Sequence, residues 1–396
     1  MLVPKLRFRK EDGTEYPEWE KKQFGKIMSC YSGGTPSSKN KQYYNGDIPF
    51  IRSGEIHSSK TELFLSEEGL NNSAAKMVNI GDLIYALYGA TSGEVDISKI
   101  NGAINQAILC IVPHNDNRIY LKYWLECFKT IITSRLLQGG QGNLSGELIK
   151  GLLINIPCLE EQQKIADFLS TVDEVIAQSE KEVQNLEQQK KAAMQKIFSQ
   201  EVRFRRDDGT EYPEWEEKKL GELTLQITTR NKDNASYPVY SVSNIRGFIP
   251  QSEQFEDREV ASKDKTNYKI VEYHHFAYNP SRINVGSIAY LKDRKAVIVS
   301  PLYVVFECTE ITPEYLSLYV KTQDFHNQRK SKTAGSVRDS LNYKGFSEIT
   351  ISVPCLEEQQ KIADFLSTYD EAISYEKQEL DKWNELKKGL LQQMFV

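Results

Sequence analysis

Most of this chain is written twice. The stretch Pro157-Cys-Leu-Glu-Glu-Gln-Gln-Lys-Ile-Ala-Asp-Phe-Leu-Ser-Thr171 returns letter for letter from Pro354 to Thr368, and Asp12-Gly-Thr-Glu-Tyr-Pro-Glu-Trp-Glu20 returns from Asp208 to Glu216. Between these blocks the segments 21–156 and 217–353 are nearly unrelated in sequence. The pattern is a tandem duplication in which a common frame carries two divergent inserts. Such a frame suits one operation performed on two different targets, so two half-sites are expected.

The frame reads as long helix. From Ile165 the positions Ile165, Leu169, Val172, Ile176, Ser179, Val183, Leu186, Lys190, Ala193 and Ile197 follow one another by steps of four and three, the spacing of a heptad seam. The second copy keeps the register with Ile362, Leu366, Tyr369, Ile373, Glu376, Leu380, Trp383, Lys387, Leu390 and Met394. Even the polar interruptions coincide, Ser179 with Glu376 and Lys190 with Lys387. Pro157 and Pro354 mark each entry, and the acidic pair Glu160-Glu161 in the first turn suits the helix dipole, as do Lys190, Lys191 and Lys196 near the end. A helix of about 40 residues rises roughly 60 Å, too long to leave an apolar stripe in water. Burial of each helix against its copy, antiparallel, is the expected solution, and it would hold the two inserts apart like a ruler.

The order along the chain is head, insert, helix, head, insert, helix. Arg7-Phe-Arg-Lys opens the first head and Arg203-Phe-Arg-Arg the second, while Phe198 and Phe395 close the two helices. The end of the second helix is therefore expected beside the first head, as in a circle cut once. The expected division is 1–156 for the head plus first insert, 157–200 for the central helix, 201–353 for the second head plus second insert, and 354–396 for the last helix.

Both inserts have the same grammar in different words. Tyr31-Ser-Gly-Gly-Thr-Pro-Ser-Ser-Lys-Asn-Lys41 reads as a flexible polar loop, and Asp47–Ile51, Gly81–Tyr88 and Ala107–Val112 read as strands. In the second insert, strands are expected at Val239–Arg246, His275–Arg282 and Ile298–Phe306. Each insert then shows one amphipathic helix, Tyr120–Leu136 and Pro313–Phe325, and a Gly/Ser/Asn-rich stretch before its last strand. The fold class is α+β: two similar α/β domains separated by two long helices packed as an antiparallel coiled coil, with pseudo-twofold internal duplication.

Charge sharpens the functional reading. The net charge is −5, but the inserts carry +2 and +3 while the helical frames carry −3 and −4. Polar loops between buried strands offer what base edges and phosphates require: Arg for guanine, Asn or Gln for adenine, hydroxyl and backbone N–H for phosphate. The candidates are Lys39, Lys41, Arg52, Thr91, Asn105, Gln106, Gln141 and Asn143 in the first insert. In the second they are Asn244, Arg246, Asn279, Arg282, Lys332, Ser336 and Arg338.

Catalytic signatures are missing. Gly139-Gly-Gln-Gly-Asn-Leu-Ser-Gly146 fits no dinucleotide or P-loop fingerprint. Tyr278-Asn-Pro-Ser matches the Asn-Pro-Pro-aromatic signature of amino-methyltransferases only in part, with the third position wrong and no cofactor glycine motif. Six cysteines form no Cys-x-x-Cys pair, and His274 and His275, as neighbours on a strand, would face opposite sides; no metal site is expected. With no stretch of about 18 apolar residues and no secretory leader, a cytoplasmic, non-enzymatic protein is the expectation.

These residues resemble a known family over essentially the whole chain: the specificity subunits of type I restriction-modification enzymes. The most specific elements are Pro-x-Leu-Glu-Glu-Gln-Gln-Lys-Ile-Ala at Pro157 and Pro354, and Gly34-Thr-Pro-Ser with Gly46-Asp-Ile-Pro-Phe-Ile-Arg-Ser-Gly54. The resemblance implies that the inserts are target recognition domains, each reading one half of a split sequence in double-stranded DNA, and that the helices set the spacer and dock two modification (methyltransferase) subunits. It further implies adenine methylation with S-adenosylmethionine, and ATP- and Mg-dependent cleavage by restriction (endonuclease/translocase) subunits, with no cofactor in this chain. Two rivals are a coiled-coil scaffold whose inserts bind non-DNA partners and a self-sufficient DNA methyltransferase. A steep salt dependence of duplex binding excludes the first. Absence of methyl transfer by the chain alone excludes the second.

Overall fold

The computed structural model describes residues 4–137, 143–254, 264–293, 295–333 and 340–395. They form two compact units. One joins residues 1–181 to 377–396, and the other is 182–376. Each unit therefore contains a head, an insert, the first half of one long helix and the second half of the other.

The two helices are Leu159–Phe198 and Leu356–Met394. Every heptad position, from Ile165 to Ile197 and from Ile362 to Met394, is buried or half-buried. The lysine interruptions explain themselves through ion pairs. In the unit 182–376, Lys190 Nζ meets Asp370 at 2.5 Å; in the other unit, Lys387 Nζ meets Asp173 at 2.8 Å. Lys387 and Asp370 stand in the second helix where Lys190 and Asp173 stand in the first. The start of one helix thus lies beside the end of the other, which makes the pair antiparallel. Asp173 also accepts from Tyr123 Oη at 2.7 Å and Lys122 at 3.0 Å. Burial opposes the charge of Lys387, but Glu126 and Asp173 hold its pKa above the ordinary value.

The head is fixed to the helix start by a buried carboxylate. Glu161, fully enclosed, accepts from Arg7 Nε and Nη2 at 2.9 Å each and from Trp19 Nε1 at 3.1 Å. Glu358 repeats the arrangement with Arg203, at 3.4 and 3.0 Å, and Trp215 at 3.0 Å. The next residue ties in the insert: Gln162 donates to Pro157 O and accepts from Asn117 N, as Gln359 donates to Pro354 O and accepts from Thr312 N. Lys164 and Lys361 then reach back to the head carbonyls of Arg9 and Arg205. A two-stranded antiparallel ladder completes each clamp, Glu20–Gln23 with Leu153–Ile156 and Glu216–Lys219 with Thr350–Val353.

The circular order is visible within each unit. Phe395 packs on Tyr120 at 5.3 Å, as Phe198 packs on Tyr315 at 5.4 Å. Leu6 N donates to Gln393 O at 3.0 Å, and Val202 N to Lys196 O at 3.2 Å. The same backbone hydrogen bond is made once between distant parts of the chain and once where the helix runs straight on.

Both inserts contain one four-stranded antiparallel sheet of the same order. In the first it runs Met28–Ser32, Ile108–Pro113, Leu83–Ala86, Val95–Ile97; in the second, Thr224–Ile227, Val304–Cys308, Phe276–Tyr278, Ile288–Tyr290. The rest differs. The first insert adds a mixed sheet of Leu63–Leu65, Ile48–Ile51, Gly102–Ile104 and Lys76–Val78, whereas the second has the hairpin Tyr240–Ser243/Gly247–Pro250 and the ladder Lys269–Val271/Val297–Val299. Two readings of the second insert need correction. The apolar run 298–306 is two strands, because Pro301 interrupts the ladder and the chain turns with Tyr303 N bonded to Ser300 O. The expected helix Pro313–Phe325 is also two, Pro313–Tyr319 and Gln323–Thr333, since Thr322 Oγ1 caps a fresh start at Phe325 N.

The buried clamp gives an asymmetric prediction. Arg7→Met leaves the Glu161 carboxylate sealed without its cation and should cost about 3 kcal/mol. Glu161→Gln leaves an arginine that still reaches water, and should cost about 1 to 2 kcal/mol. Urea unfolding of the two variants checks the order; equal losses would mean that Glu161 does not depend on Arg7.

Candidate nucleic-acid interface

In the first insert, four loops are joined by backbone hydrogen bonds at one edge. Asn105 N bonds to Ile51 O at 3.4 Å, Leu87 N to Ala107 O at 2.8 Å, and Leu144 N to Leu87 O at 3.0 Å. These bonds gather Arg52, the turn holding Thr91, Asn105 with Gln106, and Asn143. A fifth loop joins them through Thr35 Oγ1, which bonds Gln106 Oε1. That loop is not the flexible tether the sequence suggested. Gly33 lies so close to Ile104 O that a Cβ would overlap it, and Tyr44 Oη fastens Pro36 O at 2.6 Å. Lys39 and Lys41 extend from this pinned loop, exposed, with no ion pair among the described residues.

The candidates are not equally free. Arg52 is held by Glu55 at 3.0 Å and Glu62 at 2.6 Å, and its hydrogen bonds to Glu55 raise its pKa. Asn105 Oδ1 accepts from Ala107 N and shapes its own turn. Gln141 lies outside the described residues, as do Ser336 and Arg338.

In the second insert the corresponding edge uses the same bond, Leu341 N to Pro280 O at 3.1 Å. Asn279 Oδ1 caps the turn at Ser281 N, and Arg282 is exposed without a side-chain partner among the described residues. Ser287 Oγ donates to Val242 O at 2.7 Å, which brings the hairpin turn Asn244-Ile245-Arg246 beside the 279–287 loop. Arg246 pairs with Glu253 at 3.1 Å and Lys332 with Glu348 at 3.3 Å. Under the hairpin turn opens a cleft of about 630 Å³, lined by Tyr240, Asn244, Arg246, Tyr290, Lys292 and His326 among others.

Two features escaped the sequence reading. Ile245, at the tip of the hairpin, is 87% exposed between Asn244 and Arg246, a placement that hydropathy alone assigns to the core. His57 sits between Asp96 Oδ2 at 3.0 Å and Glu94 Oε2 at 3.2 Å, with Lys99 and Lys129 bonded to the same two carboxylates. The carboxylates are nearly forty residues away in sequence, so no local motif announces the cluster. Asp96, despite burial that would raise it, is held at about 2 by hydrogen bonds from His57 and the Ile97 backbone and by Lys99. The hydrogen bond to Asp96 outweighs burial and raises the His57 pKa.

A raised imidazole pKa stabilises the fold fully below its ordinary value of 6.5, and that contribution disappears as pH rises through the higher folded-state value. The effect is modest, because His57 is half exposed and water screens the pair. The difference in thermal midpoint between the unsubstituted chain and His57→Gln should therefore be largest near pH 6 and shrink by about pH 9. A difference independent of pH would mean that His57 acts as a neutral packing group.

A family model described as the type I restriction modification DNA specificity domain matches the chain twice, over residues 16–188 and 212–385. The type I restriction enzyme MjaVIII specificity subunit of Methanocaldococcus jannaschii is 21% identical over 97% of this chain and 94% of its own length. The putative type I restriction enzyme MjaX specificity subunit of the same organism is 26% identical, again over 97% of this chain and 94% of its own. In fold the chain is similar to the S subunit of a type I restriction-modification system from M. genitalium, with a TM-score of 0.59, 16% identity and coverage of 100% of this chain and 99% of that one.

Proposed function

Because the chain belongs to the type I restriction-modification DNA specificity family, we propose that it reads a bipartite DNA target, one half-site per insert, with a spacer set by the two long helices. The observation that carries this reading is the pairing of one repeated frame with two unlike polar loop edges. A second insert that merely repeated the first would read the same half-site again. Arg282, Asn244, Lys39, Lys41 and Gln106 are the best placed to approach DNA, since each is exposed on its loop edge. Arg52 must first leave Glu55 and Glu62, so it serves as a reader only if DNA displaces those carboxylates.

The chemistry belongs to other subunits in this reading. Modification subunits bring S-adenosylmethionine for adenine methylation, and restriction subunits use ATP and Mg for cleavage; this chain contributes recognition and docking. The frame supports two equal docking faces. Leu159 and Leu356 are 53% and 59% exposed, and both are followed along the helix by the same residues, Glu160, Gln163 and Asp167 against Glu357, Gln360 and Asp364. Gln163 and Gln360 are held by Asp167 and Asp364, whereas among the described residues no internal contact asks for a leucine exposed at the start of both helices. A partner of one kind, bound twice, does.

Sequencing methylated adenines in DNA from cells that carry this chain with its modification subunit tests the recognition role. A two-part motif with a fixed gap is expected, and no motif despite verified partner expression would defeat the proposal. Deleting one heptad from each helix removes about 10 Å of rise and should shorten the gap by about three base pairs with both half-sites unchanged. An unchanged gap would refute the ruler. For docking, Leu159→Glu should leave one modification subunit per chain by native mass spectrometry, and the double variant with Leu356→Glu none; full occupancy of the double variant would remove the assignment.

A further inference from the structure

The helix Gln323–Thr333 turns one stripe inward, Phe325, Arg329 and Thr333. Phe325 belongs there, packed against Phe346 and Tyr319. Arg329 is anomalous. It is only 8% exposed, and its Nε and Nη1 are sealed from solvent without a hydrogen-bond partner among the described residues. Among the described residues, the acids nearby in sequence are engaged elsewhere: Asp324 holds Tyr319 Oη and Gln328, and Glu348 holds Lys332. Burial and then the positive charge of Arg329 push the pKa of His326, one turn away, downward.

The fold does not ask for this arginine. Twelve residues before the buried Leu341 stands Arg329, and twelve before its counterpart Leu144 stands Ile132, an ordinary core residue at 4% exposure. The same spacing pairs Phe325 with Phe128. One insert thus fills the position with an apolar side chain, and the other with an arginine whose Nε and Nη1 are buried without partners among the described residues. An unpaired buried guanidinium is destabilising unless an anion completes it. Its surroundings suit a phosphate. The helix packs on the turn Ile283–Val285 that follows Asn279 and Arg282, and Lys330 and Lys332 flank Arg329 on the exposed side.

We propose that Arg329, through Nη2, the guanidinium nitrogen that is not sealed, is the seat of one DNA backbone phosphate at the half-site read by the second insert. This rests on the DNA-reading function above. A phosphate there fixes position rather than sequence, because every base step presents one. The two inserts then differ in how they hold DNA as well as in what they read, since Ile132 provides no such seat.

The test uses the complex of the full chain with its modification subunit, on duplexes carrying the mapped target. Arg329→Met should weaken binding roughly tenfold at moderate salt and reduce the slope of log affinity against log salt by about one. Arg329→Lys should retain most of the slope. Without DNA, Arg329→Met should melt no lower than the unsubstituted protein, and by a few degrees higher if the bare charge is a burden. An unsubstituted complex that ignores duplex DNA would overturn the DNA reading itself. Salt-dependent binding with identical slopes in the methionine variant would overturn the phosphate seat alone, as would a methionine variant that melts several degrees lower with its slope intact. Stabilisation of the unsubstituted protein by inorganic phosphate, with no change in the DNA slope, would reassign the seat to a free anion and overturn the DNA assignment.

Discussion

The architecture depends on a carboxylate placed where carboxylates are rarely found. Glu161 and Glu358 are sealed from water at the first turn of their helices, and each is completed by an arginine and a tryptophan of its head. Removing a charge from water is costly unless geometry and hydrogen bonds compensate it, so the head must dock in one orientation. With the adjacent glutamine tied to the start of the insert helix, a few residues orient three parts of the molecule at once. This explains why Glu-Glu-Gln-Gln-Lys recurs unchanged: all but the first of these five residues have a defined partner in both copies.

With orientation fixed in the frame, the inserts are free to vary. They share a four-stranded sheet and one backbone bond at the loop edge, Leu144 to Leu87 and Leu341 to Pro280. The second layer, loop lengths and ionic networks differ throughout. A loop edge held by backbone hydrogen bonds places no demand on side chains, so those side chains can be replaced without disturbing the support beneath them.

The helices were legible in the sequence because a heptad repeat is a direct print of burial, and the burial of Ile165 through Ile197 follows the expected register. The polar interruptions Lys190 and Lys387 were legible as a matched pair but their partners were not, since Asp370 and Asp173 lie on the opposite helix at a distance only the antiparallel fold sets. Strand and helix limits failed where a single residue decided them, Pro301 within an apolar run and Thr322 within an amphipathic one. The loop candidates were chosen by residue type, and type cannot distinguish an arginine open to solvent, Arg282, from one clasped by two glutamates, Arg52. Arg329 was passed over for the same reason: a charged residue in a polar helix is ordinarily solvated, and only the packing reveals that this one is not.

The pairs Lys190–Asp370 and Lys387–Asp173 are reciprocal. Each half of the chain carries both the lysine and the aspartate, so the lock is self-complementary: each half gives the other the same charge pair that it receives. Holding both halves in one chain keeps this reciprocal clasp while leaving the two inserts free to differ, without any change to the part that holds them.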